Sequence, residues 1–365
     1  MKICFAAVLC VTLMAGQLAQ AQLRIGQTTG LTGPVAAGAK ENTEGAKLWF
    51  DHVNAKGGVH GEKIDLISLD DKFDAKLAHD NALKLIAEHN VLALCLNRGT
   101  PHTEAIMPLL ALHKIALIAP STGAMALHSP VNPYIFNVRS TYQAEARTAI
   151  KHLATLGLTQ IAVVHVADSF GRDGLAGAML GFADANLKPL AVETYDRVKP
   201  VLEPIVPKVQ AAQAVIIIAS ATQTSDMVKL LRQAGSKTQV ITLSNNASGG
   251  FVKQLGEHAR GVVVAQVFPN ERTLSMPIIR EAVDLARAKN IELTPAMMEG
   301  YAGAKVVVEA LKRAGPKPTR EKVLAALDNI RIDLGGLIVD YSVNDHTGLD
   351  FVELSIIDAQ GRFRR

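Results

Sequence analysis

Three short loops in this chain hold the residue types that grip a small polar solute. Asn97-Arg98-Gly99-Thr100-Pro101 joins an apolar run to a helical pattern. Thr100 suits an N-cap and Pro101 the first helical position. The Thr100 hydroxyl and the N–H groups beside it, at Gly99 and beyond, could hold a carboxylate; ordinary capping is the competing reading. Ala119-Pro120-Ser121-Thr122-Gly123-Ala124 sets hydroxyls beside a glycine, which supplies donors and close backbone approach. A plain polar turn reads equally well there. Asp168-Ser169-Phe170-Gly171-Arg172-Asp173-Gly174 places an aromatic ring in a polar, glycine-flanked loop. Phe170 is either an anchor for that loop or a cover over a ligand.

Catalytic signatures are missing. Gly33 to Lys40 approaches a phosphate-binding P-loop, but the Lys is displaced by one position and Glu41 offers no hydroxyl. The dinucleotide fingerprint is absent, since Gly26, Gly30 and Gly33 are wrongly spaced. No G-x-S-x-G elbow occurs. The 11 His residues are scattered without a zinc pattern. Asp70-Asp71-Lys72-Phe73-Asp74 lacks the Gly and distal Glu of a calcium loop and reads as an acidic loop capping a helix. A binder without metal or cofactor is expected rather than an enzyme.

Strands alternating with helices must position these loops. Strands are predicted at 23–27, 64–70, 91–96, 115–118, 161–165, 215–219 and 239–243. Helices are predicted at 41–55, 74–88, 102–113, 142–156, 174–185, 225–234, 297–314 and 319–329. Continuous Val/Ile/Leu runs between helices predict parallel sheets covered on both faces. Two such blocks, 22–139 and 140–267, are followed by a third, 268–365, without an α/β unit of its own. In parallel sheets ligands sit at the carboxyl ends of strands, where these loops lie.

The 365 residues accommodate two domains, and a composition of 48% hydrophobic and 20% charged residues is globular. Aromatics make up only 4%, so the core must be aliphatic. A net charge of +4 gives no footprint for nucleic acid. Residues 1–21 combine a basic start, an apolar centre and Ala19-Gln20-Ala21, the form of a secretory signal peptide. The apolar run is shorter than the roughly 20 residues of a membrane span. Cys4 and Cys10 would leave with the signal, and Cys95 alone cannot form an internal disulfide. An exported monomer, with no membrane insertion after signal removal, is expected.

At these residues the chain resembles the periplasmic solute-binding proteins of ABC importers, of the leucine/isoleucine/valine-binding type. The resemblance rests on Thr32-Gly33-Pro34, Gly45-Ala46, Asn54-Ala55-Lys56-Gly57-Gly58-Val59-His60-Gly61 and Asp70-Asp71. Ile161 to Val164, Phe170-Gly171, Leu231 to Gly235, and Gly256-Glu257 with Gly261 support it. It implies an α/β fold of two doubly wound lobes with parallel sheets joined by three crossover strands. Lobe one would hold residues 22–139 plus 269–342, and lobe two 140–268 plus 343–365. A small solute would bind between the lobes, and closure would present a surface to a membrane permease. The same fold would also suit an extracellular ligand-sensing module of a signalling or chemotaxis system.

The resemblance also implies site residues. Thr100 matches a hydroxyl that takes a ligand carboxylate, and Ser121 and Gly123 match neighbouring contacts. Phe170 matches a covering aromatic without its phenolic oxygen. Ser220 falls near another aromatic position, and Gly38 stands where branched-chain binders place a Tyr. Ser244 or Asn245 stands where they carry a Glu for the ligand ammonium. That loss removes a charge-assisted bond, commonly worth roughly 1.5–3 kcal/mol. The expected solute is therefore amino-acid-like, an amide or a carboxylate, held by neutral donors. Tyr142 would replace a missing aromatic wall or pack between the lobes.

Overall fold

The computed structural model describes residues 22–328 and 330–365. The expected signal peptide lies outside the described residues. The first block runs β1 (Gln22–Thr29), α1 (Ala36–Ala55), β2 (Lys63–Asp70), α2 (Ala75–Ala87), β3 (Ala93–Cys95), α3 (Thr100–His113), β4 (Ala116–Ile118) and β5 (Ile135–Phe136). Its strands form one parallel sheet in the order β2-β1-β3-β4-β5, with Gln22 opposite Lys63 and Thr29 opposite Asp70. β3 and β4 are short, apolar and wholly buried, as interior strands of a doubly covered sheet must be. Asp74 caps α2 by accepting a bond from the Leu77 N–H at 2.8 Å, which accounts for part of the acidic loop. α1 begins at Ala36, ahead of the predicted Glu41.

The second block runs α4 (Tyr142–Thr155), β6 (Ile161–Val166), α5 (Ser169–Asp184), β7 (Ala191–Tyr195), α6 (Val206–Val209), β8 (Ala214–Ile218), α7 (Ala221–Gln233), β9 (Gln239–Thr242), α8 (Gly249–Leu255) and β10 (Val263–Gln266). The chain then adds α9 (Pro277–Ala288), α10 (Pro295–Ala314), α11 (Arg320–Leu327) and a hairpin of β11 (Arg331–Asp333) and β12 (Ile338–Asp340) to the first lobe. It ends with β13 (Glu353–Ile357) and β14 (Phe363–Arg364) on the second sheet. That sheet has the order β14-β13-β10-β9-β8-β6-β7. β13 and β14 pair antiparallel, so the sheet is mixed where a purely parallel one was predicted.

Each lobe has its own aliphatic core. The third block supplies much of the first one through α10, which packs along α1. The approach is close because Gly45 and Gly300 carry no side chain: a methyl on Gly45 would strike the Met297 carbonyl, and one on Gly300 the Asn42 carbonyl. Cys95 lies in the first core, where burial pushes its thiol pKa up and leaves it un-ionised.

The chain passes between the lobes three times, around 139–141, 267–276 and 350–352, in irregular backbone rather than in strands. Two lobe boundaries differ from the prediction. Val267 and Phe268 pack in the first core, so the second crossing begins before 269. At the far end Leu349 also joins the first core, and its N–H donates to the Val138 carbonyl at 3.2 Å. The chain therefore stays with lobe one beyond residue 342.

Candidate ligand-binding cleft

A narrow cleft separates the lobes. Lobe one contributes Val35, Phe73, Arg98, Gly99, Thr100 and Ser121. Lobe two contributes Tyr142, Phe170, Arg197, Ser220 and Asn245. The enclosed space is about 20 Å³, room for roughly one water. A larger solute enters only as the lobes part.

Seven predicted site residues meet here: Gly99, Thr100, Ser121, Tyr142, Phe170, Ser220 and Asn245. Their local roles differ from the predicted ones. Gly99, with φ +100°, is the N-cap of α3, and Thr100 is its first helical residue. A side chain at Gly99 would meet both a left-handed backbone angle and the His102 ring. Freed from capping, the Thr100 hydroxyl bonds Thr122 Oγ1 at 2.8 Å. Phe170 sits in the first turn of α5, not in a loop, because Asp168 caps that helix through the Gly171 N–H at 3.0 Å. Phe170 and Tyr142 pack edge to face with centroids 4.8 Å apart.

Three predicted site residues stand behind the cleft wall instead. Thr122 is fully buried and orients Thr100. Gly123 accepts the Tyr142 N–H at 2.7 Å, and a methyl there would press on Ser140 O at 2.6 Å; it is small so that the first crossing can pass over it. Ser244 is held by Glu145, whose carboxylate accepts the Ser244 N–H at 2.7 Å and its hydroxyl at 2.9 Å.

That carboxylate belongs to a buried ionic hub at the first crossing. Arg139 pairs with Glu145, donates to Ser244 Oγ at 2.6 Å and lies 3.7 Å from Glu299. Its guanidinium also stands 4.6 Å from the centroid of the Tyr142 ring. Burial opposes the charge on Arg139, yet Tyr142, Glu145 and Glu299 together hold its pKa above the usual value. The hub joins residues of both lobes to the crossing itself.

Sequence reasoning missed Val35, Phe73, Arg98 and Arg197 as lining residues. Arg98 places a charged donor in a cleft expected to offer neutral ones. It is 6% exposed, donates to Ser121 Oγ at 3.1 Å and reaches across the cleft to the Asn245 carbonyl at 2.5 Å. A methyl at Gly38 would lie 3.1 Å from Arg98 Nη2, so the absent side chain there leaves room that Arg98 takes. Among the described residues no carboxylate lies within ion-pair distance of Arg98. Arg197, by contrast, pairs with Asp168 and stands 5.1 Å from the Phe73 ring centroid.

The lobes also touch at the cleft's rim. Glu41 on α1 accepts the N–H groups of Gly249 and Gly250 at 3.1 and 2.8 Å, capping α8 of the other lobe. Ser169 donates to Glu104 at 2.7 Å. Gly250 lies so close to Ala37 of α1 that a methyl there would collide with it.

Burial keeps two first-lobe histidines neutral. His102, stacked on Phe73 with centroids 4.2 Å apart, and His128 are both pushed down to about 4. The unfolded chain binds a proton near 6.5. Each histidine thus contributes stability that is complete above pH 6.5 and is lost as pH falls toward 4, about 3 kcal/mol apiece. Asp71, raised by burial to about 6, acts oppositely below about pH 6, over most of this range. A falling melting temperature is expected from pH 6.5 to 4.5, with a shallower slope in a His102→Phe/His128→Phe variant. Equal slopes in the two proteins would contradict this assignment.

Among the described residues, no group of three or more His, Cys, Asp or Glu is placed to hold a metal ion, and no helix is long and apolar enough to cross a membrane. A family model described as "Periplasmic binding protein" matches residues 22–352. The Leu/Ile/Val-binding protein homolog 3 of Brucella melitensis is 25% identical over 320 residues, covering 85% of this chain and 84% of the relative. A solved substrate-binding periplasmic protein from Ralstonia solanacearum is 32% identical with a TM-score of 0.86, over 94% of this chain and 99% of that one. A possible leucine/isoleucine/valine-binding protein from Rhodopirellula baltica has a TM-score of 0.89 at 25% identity, over 96% of this chain and 98% of that one. These relatives are binding proteins, not enzymes. Two α/β lobes, three crossings and a cleft lined from both sides agree with that likeness: the chain belongs to the periplasmic binding protein family.

Proposed function

We propose that the protein is the extracytoplasmic solute-binding component of an ABC-type importer. It captures a small carboxylate-bearing solute between its lobes and delivers it to a membrane permease. The observation that carries this reading is Arg98: a buried cation without an acidic partner among the described residues, in a cleft lined from both lobes. A ligand favours closure only by contacting both lobes. The α3 N-terminus, with Gly99 and Thr100, adds donors and a favourable dipole for an anion. Ser121, Tyr142, Phe170, Ser220 and Asn245 complete the proposed contacts.

A thermal-shift screen of amino acids, amides and organic acids tests the reading. A solute at 100 times its Kd adds about 2.7 kcal/mol to stability and raises the melting temperature. Thr100→Ala and Phe170→Ala should reduce that rise while leaving the fold intact. Turnover of the bound compound, or unchanged affinity in both variants, would reject the proposal.

A further inference from the structure

The charges around the cleft narrow the class of solute. Its lining holds two guanidinium groups and no carboxylate. Four nearby acids each hold a partner within the protein, and Glu299 lies behind Tyr142 at 3.7 Å from Arg139. Asp168 pairs with Arg197 and caps α5. Glu145 is held by Arg139 and Ser244. Asp173 Oδ1 accepts from Gln143 at 2.8 Å and from the Met125 N–H at 3.2 Å; its Oδ2 has no partner among the described residues, but Asp173 does not line the cleft. Glu104 accepts from Ser169.

An α-amino acid brings an ammonium as well as a carboxylate. Inside this cleft the ammonium would face Arg98 and Arg197 with no anion of its own to neutralise it. Burying an uncompensated charge is strongly unfavourable. Asn245 Oδ1 is buried without a hydrogen-bond partner among the described residues and is a neutral acceptor. It can accept a hydrogen bond but cannot neutralise a positive charge. Arg98 uses two of its five N–H donors on Ser121 and Asn245, leaving others for a carboxylate. Phe73, Tyr142, Phe170 and Val35 form the apolar part of the wall.

From this balance we infer that the solute is a carboxylate with no ammonium group, carried on an apolar body, and that Arg98 sets this preference. The inference rests on the reading of the cleft as a solute site.

Calorimetric titration of the full chain with matched compounds tests it. The pairs are L-leucine against 4-methylpentanoate and L-phenylalanine against 3-phenylpropanoate, with 3-phenylpropanamide as the neutral control. Each deaminated acid should bind at least about tenfold more tightly than its amino acid, and 3-phenylpropanoate about ten- to a hundredfold more tightly than its amide. In Arg98→Gln the preference for acid over amide should collapse. The comparisons on the unaltered protein hold even where that variant folds poorly. Tighter binding of either amino acid than of its deaminated partner overturns the inference and leaves the carrier reading standing. So does an acid preference that survives in a folded Arg98→Gln protein. If other solutes from the screen bind in the cleft while none of these five does, the inference again falls alone. If nothing binds, both fall.

Discussion

Replacing Gly250 by alanine should weaken solute binding by about one to two orders of magnitude without touching the solute. The added methyl would collide with Ala37 of the opposite lobe when the lobes meet as they do here. Overpacking of this kind costs about 1–3 kcal/mol. The cost falls on the closed arrangement alone, because parted lobes do not bring α1 and α8 together. It is therefore subtracted from the free energy of closure and appears in the measured affinity. Gly249→Ala is the natural control: its methyl would find nothing nearer than Glu41 at 3.5 Å. Titration of both variants with one solute, beside their apo melting temperatures, checks the claim. Equal affinities in the two would sink it.

Arg139→Met should cost about 3–5 kcal/mol of stability, because it strands Glu145 as a buried charge without its partner. Glu145 is already held above the usual carboxylate range by burial, with Arg139 and the Ser244 donors opposing the shift. For lobes of this size the loss corresponds to a melting temperature lower by on the order of 10 °C. The double variant Arg139→Met/Glu145→Met should recover much of it, since two apolar side chains replace a costly ion pair. Thermal melts of the single and double variants measure the difference. A single variant within about 1 kcal/mol of the parent would place the pair among weak surface-like contacts and contradict the hub.

Most of the lobe architecture was legible in the sequence, because buried parallel strands such as Ile161–Val166 and Ala214–Ile218 advertise themselves as unbroken apolar runs. The start of α5 was not. Gly171 read as a loop residue and Gly174 as the first residue of the helix, yet both are buried positions inside α5 where a methyl would strike Val166 or Ile218. The antiparallel ending also escaped notice: β14 has two residues, too few for any period to register. In the cleft the hydroxyl and aromatic positions could be found from loop composition and family likeness. Arg98 stood in a loop already singled out, but an isolated arginine has no spacing signature. Its meaning lies in the acid that is missing around it, and only the fold reveals that neighbourhood. Phe73 was hidden inside an acidic run whose Asp71 accepts its N–H at 2.9 Å and holds it with φ +60°.

The crossings of the chain also set an order of assembly. Residues 142–266 contain the parallel strands of the second lobe as one continuous stretch. The first lobe needs α9, α10, α11 and Leu349 before its core is complete. The chain therefore emerges through β1 to β5 with α1, α2 and α3 long before α9, α10 and α11, which complete the cover of one face, exist. The segment made in the middle can condense fully first, while the earliest strands wait with one apolar face incompletely covered. Synthesis runs from one end of this protein to the other, but its folding should begin near the centre and close last over the oldest residues.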